Sequence, residues 1–170
     1  ADANETALAW KQALKTLDSP TALILSRQKL PTLDVSKREG EFNHGAYILE
    51  TIIDPDMILI ATGSEVHICV EAAHMLKNDH NIKAAVVSMP SWEWFEKAPA
   101  PYRERILPSS VTKRMAVEAG ISMGWEKYTG SEGKILGINK FGSSAPGGTV
   151  LKEYGFSPEN IVQKALGLFK

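Results

Sequence analysis

Residues 57–89 read MILIATGSEVHICVEAAHMLKNDHNIKAAVVSM. Met57 to Ala61 is an unbroken apolar run of strand length, and Lys83 to Met89, with Ala84 to Val87 at its centre, reads as a second strand. Between them, Val66, Val70, Ala73 and Leu76 recur at helical spacing and predict a helix over Ser64–Lys77. A strand, a tight Gly63 turn, a helix and another strand argue for a mostly parallel sheet with helices on both faces.

The alternation continues in both directions. Ala46 to Leu49, Arg114 to Glu118 and Lys134 to Ile138 also read as strands, which makes about five in all, and a turn at Asp54-Pro55-Asp56 separates the first from Met57. Trp92–Lys97, Tyr102–Leu107, Ile121–Tyr128 and Gly148–Tyr154 read as helices. Ser157-Pro158-Glu159 opens a last helix, with a capping serine, proline in the first turn and an acid beside it. The expected architecture is therefore three-layer α/β/α. Upstream, Asp2 with Glu5 resembles a capping box, and Ala7, Leu8, Trp10, Ala13, Leu14 and Leu17 carry a helix that ends before Pro20. Thr21 to Ser26 reads as one more short strand, closed by Arg27, and the polar stretch 31–43 reads as a linker.

A lone helix and strand cannot close a core. Either residues 1–30 join the sheet that follows or they are the tail of an upstream domain, and the absence of an initiator Met favours the tail. The division expected is 1–30 as that tail, 31–43 as linker and 44–170 as an α/β domain.

The 170-residue chain is 44% hydrophobic and 23% charged, a composition that folds rather than staying disordered. Lys and Arg number 19 against 20 Asp and Glu, so no excess of charge favours nucleic acid or an anionic membrane. The apolar runs are far shorter than the roughly 18 residues of a membrane span, and the acidic N-terminus is unlike a signal peptide. The expectation is a cytoplasmic protein or a piece of one. A single cysteine, Cys69, excludes an internal disulfide and reads as a buried inert thiol.

Candidate chemistry is sparse. The Ala61-Thr62-Gly63-Ser64-Glu65 junction could hold an anion at the helix N-terminus, but every βα unit needs such a turn, and no Gly-x-Gly-x-x-Gly or Walker pattern is present. Ser64 as a helix cap is the plainer reading. His67 and His74 stand roughly 10 Å apart along a helix, too far for one metal ion, and are expected to face solvent. His44 and His80 fall in loops with no clustered partner. Trp92, Trp94 and Phe95 read as anchors for the core or for a subunit interface, and the segment 141–148 as a long turn before a helix. Arg27 stands apart: a guanidinium at the carboxyl end of a sheet strand is placed where ligands of parallel α/β sheets gather and suits a phosphate or carboxylate, although a surface salt bridge is the plainer reading of the residue by itself.

The segments Ala1-Asp2-Ala3-Asn4-Glu5-Thr6, Pro20-Thr21-Ala22-Leu23-Ile24-Leu25-Ser26-Arg27-Gln28, Ile60-Ala61-Thr62-Gly63-Ser64-Glu65-Val66, Val86-Val87-Ser88-Met89-Pro90, Ala116-Val117-Glu118-Ala119-Gly120, Phe141-Gly142-Ser143-Ser144-Ala145-Pro146 and Tyr154-Gly155-Phe156-Ser157 together resemble the C-terminal part of transketolase. They keep their order and cover nearly the whole chain.

The resemblance implies the end of a pyrimidine-binding domain followed by the transketolase C-terminal domain. It further implies a homodimeric, thiamine diphosphate-dependent transferase of the pentose phosphate pathway, moving a two-carbon ketol unit from a ketose phosphate to an aldose phosphate. The cofactor and its Mg²⁺ or Ca²⁺ would be bound outside this chain, because the family's Gly-Asp-Gly motif, activating acid and sugar-facing histidines have no counterpart here. No catalytic, cofactor or metal residue carries over. Arg27 does, as the family's grip on the sugar phosphate. The expectation is a fragment that is inactive alone, with structural and subunit-interface roles. Two other readings stay open: a non-catalytic subunit working with a separate catalytic partner, and a small-ligand module using the Gly63 turn.

Overall fold

The computed structural model describes residues 1–36 and 38–170; Lys37, inside the expected linker, lies outside the described residues. A five-stranded sheet runs in the order β1-β3-β2-β4-β5, formed by β1 (Tyr47–Ile48), β2 (Met57–Ala61), β3 (Ala84–Ser88), β4 (Arg114–Val117) and β5 (Lys134–Leu136). Only β1 is antiparallel, pairing Tyr47 with Ser88 at the edge; β3, β2, β4 and β5 run parallel.

Every residue of β2 and β3 is buried, as parallel strands covered on both faces require. The two faces divide by the period of two. Met57, Leu59, Ala61, Met115 and Val117 point into one core, which α2 (Glu65–His80) and α7 (Pro158–Leu166) cover. Ile58, Ile60, Ala85, Val87 and Ala116 point into the other, which α3 (Trp92–Lys97), α4 (Ala100–Ile106) and α5 (Glu126–Thr129) cover with Phe95, Tyr102, Ile106, Trp125 and Tyr128. The three-layer α/β/α architecture is thus as the patterning predicts. α7 starts as read, with Ser157 accepting from the Asn160 N–H and Pro158 in its first turn. A short helix, α6 (Gly147–Glu153), precedes it.

Two expected elements differ. The helix over Ile121–Tyr128 is reduced to α5, because the Trp92 ring lies against Gly124 and the chain turns there before the helix begins. The strand over Thr21–Ser26 does not form: these residues pair with no strand among the described residues, and Ile24 is 96% exposed. β-propensity expresses packing against adjoining strands, and this segment has none.

The first helix, α1 (Ala3–Lys15), does join the domain that follows. Asp2 Oδ1 accepts from the Glu5 N–H at 2.8 Å, which is half of the expected capping box. The Glu5 carboxylate does not complete it. It is buried instead, accepting from the Tyr47 hydroxyl at 2.8 Å and the Ser88 hydroxyl at 2.6 Å, and also meeting the Ala1 amino group. Burial and the facing Glu5 raise the Tyr47 phenol far above its ordinary value, so it remains a donor. Described residues on both sides of Lys37 are likewise held down: the Leu33 N–H donates to Asp2 Oδ2 at 2.8 Å, Glu39 bridges to Ile48, and Phe42 is buried in a 3-10 turn.

Candidate functional site

Sheet order locates the crevice. The chain leaves β2 for β3 on one side and leaves β4 for β5 on the other, so the connections diverge at the carboxyl ends of the adjacent strands β2 and β4. Ligands of open α/β sheets bind at such points. Here the rim consists of Thr62-Gly63-Ser64-Glu65 after β2 and Glu118-Ala119-Gly120 after β4.

Two acids meet there. Glu65 is 3% exposed, and its Oε2 accepts from the Ala119 N–H at 3.2 Å across the gap between the two strands. Its Oε1 is held by the Ser64 hydroxyl. That contact is why the expected Ser64 cap is absent: the hydroxyl turns to its neighbour, and Ser64 bonds no backbone N–H of α2. Burial raises the Glu65 carboxyl. Burial, with Glu65 opposite, pushes Glu118 up to about 7, and its Oε2 is buried without a hydrogen-bond partner among the described residues. The pair escaped sequence reading, although an acid that directly follows an all-apolar strand, as Glu118 follows Arg114–Val117, was a signal available to it.

Arg27 reaches the same end of the sheet by a different route from the one expected. It does not close a strand; it lies exposed on an irregular segment and makes no hydrogen bond or ion pair among the described residues. The segment nevertheless crosses the carboxyl-end rim. A Cβ built on Gly63 would stand 3.9 Å from Ser26 Oγ, and one built on Gly147 would stand 2.8 Å from Gln28 Nε2.

The remaining candidates resolve as follows. His74 is exposed as expected, but His67 is half-buried, with its Nδ1 out of solvent and unpartnered among the described residues. Cys69 is fully buried, and burial raises its thiol well above the ordinary range. Trp92 packs edge-on against Trp125 with ring centroids 4.9 Å apart, Phe95 is buried beneath, and Trp94 meets Phe42 at 6.1 Å, so the aromatic run serves the core. The 141–147 loop is anchored by Tyr154, whose hydroxyl donates to the Phe141 carbonyl at 3.0 Å and pairs with Ser143 at 2.9 Å. No three His, Cys, Asp or Glu side chains converge among the described residues. No described helix is long and apolar enough to cross a membrane.

A doubly wound three-layer sheet, with polar loops gathered over the carboxyl ends of its parallel strands, defines an α/β domain of the class that presents ligands at a switch point. A family model described as the transketolase-like TK C-terminal domain matches residues 45–157, and the chain belongs to the transketolase family. The transketolase of Bacillus subtilis is 49% identical over 99% of this chain and 26% of its own length. Among solved structures, transketolase from Leishmania mexicana superposes with a TM-score of 0.89 at 37% identity, covering 99% of this chain and 24% of that one. A transketolase from Pichia stipitis, solved in complex with sedoheptulose-7-phosphate, gives 0.88 at 36%, with 99% and 24% covered. The chain thus spans about a quarter of the length of these relatives.

Proposed function

We propose that this chain works as part of a thiamine diphosphate-dependent transketolase, which moves a two-carbon ketol unit between sugar phosphates in the pentose phosphate pathway. Its own contribution is the phosphate grip of Arg27, together with the architecture of a homodimeric cytoplasmic enzyme. Residues 1–30 belong to the end of a pyrimidine-binding domain, 31–43 link it, and 44–170 form the C-terminal domain. No step of the chemistry is assigned to this chain.

The observation that carries the reading is the state of Arg27. Arg27 is exposed and unpaired among the described residues, at the end of the sheet where ligands collect, and its forked donors suit a phosphate. The exposed Ile24 and Leu25 beside it support an upstream domain as their cover. In the complete enzyme, Arg27→Ala is expected to weaken phosphorylated substrates by about 1.5–3 kcal/mol in kcat/KM, the worth of a charged hydrogen bond. Wild-type kcat/KM for phosphorylated sugars in that variant would overturn the assignment.

A further inference from the structure

From Thr16 to Leu33 the chain has no helix or strand, yet it is not left loose. It is fixed at its start by α1, docked through buried Glu5, and at its end by the bond from the Leu33 N–H to Asp2 Oδ2. Arg27 lies between these two pins, and an arginine side chain carries roughly 2 kcal/mol of rotamer entropy that a ligand must otherwise overcome. What sets its aim has to come from the main chain beside it, because the guanidinium has no partner among the described residues.

The next residue supplies that constraint. Three atoms of the Gln28 side chain, Nε2, Cγ and Cδ, stand 2.8, 3.3 and 3.4 Å from where a Cβ of Gly147 would be. Gln28 therefore lies flat on the one face of Gly147 that has no side chain. Gly147 is a firm seat: it opens α6, and the loop leading into it is tied down by Tyr154. A side chain at 147 would push the amide end of Gln28 aside and crowd its Cγ, the contact atom nearest the backbone that carries Arg27.

We propose that Gln28, seated on Gly147, is a positioning residue that holds Arg27 where the sugar phosphate arrives. On this view the domain formed by residues 44–170 contributes to substrate affinity through a loop that need not touch the substrate. The inference rests on the Arg27 reading above and adds to it a second residue whose loss is measured separately.

The test is a double-mutant cycle in the complete enzyme, with Arg27→Ala beside it, using one phosphorylated and one unphosphorylated acceptor aldose. Gly147→Ala is conformationally mild, since the residue starts a helix and its backbone is not left-handed. Gln28→Ala and Gly147→Ala are each expected to raise KM for the phosphorylated acceptor about fivefold while kcat stays within about twofold. The unphosphorylated acceptor should be unaffected by either. In the double variant the added methyl meets no glutamine, so KM should equal that of Gln28→Ala alone. Additive effects, or single variants with wild-type KM beside an impaired Arg27→Ala, would overturn the positioning role and leave the Arg27 grip standing. An Arg27→Ala enzyme with wild-type KM would remove both.

Discussion

The Ser88 hydroxyl donates to the Glu5 carboxylate at 2.6 Å across 83 residues of sequence, and Tyr47 donates to the same group at 2.8 Å. A buried acid with two hydroxyl donors joins α1 to the edge of the sheet where β1 meets β3. Removing one donor leaves the other polar groups in place with one bond fewer.

Tyr47→Phe should therefore cost about 1–3 kcal/mol, because an acceptor stays buried without its partner. Urea denaturation of the chain measures this directly. Amide exchange should rise most in α1 if the bond holds that helix; a uniform rise would place its effect in the core instead.

Gly45 gives a sharper loss. Its φ is +78°, and a Cβ there would collide with the Ser91 carbonyl and the Phe95 amide and come 2.9 Å from the Trp94 Cβ. Backbone atoms cannot yield as a flexible side chain can. Gly45→Ala is expected to destabilise by about 3 kcal/mol or more, with loss of soluble folded protein at 37 °C. A melting curve within 2–3 °C of wild type, about the shift that a fraction of that loss would give, would show that the turn relaxes freely.

These sites differ in how visible they were beforehand. β2, α2 and β3 were legible because unbroken apolar runs flank a helical repeat, and that unit places the other strands. Thr21–Ser26 has equally good strand composition, but a strand exists only with a partner, and composition does not report one. Gly124 stops the helix expected over Ile121–Tyr128 through a ring 32 residues earlier, Trp92, which no local pattern reveals. The site divides in the same way. Arg27 was visible through its neighbours in sequence, whereas Glu65 and Glu118 become a pair only when the sheet sets β2 beside β4. His67 looked solvent-facing on a helical wheel because the wheel omits what packs over its first turn.

Cofactor binding should be absent from the chain on its own. With no Gly-Asp-Gly motif in its sequence, isothermal calorimetry of the 170-residue protein with thiamine diphosphate and Mg²⁺ is expected to show only heats of dilution. Saturable micromolar binding would require a diphosphate site in this chain and reopen the small-ligand reading of the Gly63 turn.

The acid pair predicts how stability follows pH. Glu118 is pushed up to about 7 by burial and by Glu65 across from it, and Glu65 itself is raised by burial. Between the ordinary carboxylate range near 4.5 and pH 7, the folded protein keeps a proton on Glu118 that the unfolded chain has released. More protons bound in the folded state means that stability falls as pH rises through this window, and that the benefit is complete only below it. His67 lies close enough to Glu65 to favour its charged form, which works against the rise of Glu65. Glu118→Gln removes the titrating group while keeping its shape. Its melting temperature should decline less than that of wild type between pH 5 and pH 7.5 and should exceed it at the upper end. Parallel curves for the two proteins would show that Glu118 titrates normally and that the two carboxylates do not share the crevice as charged neighbours.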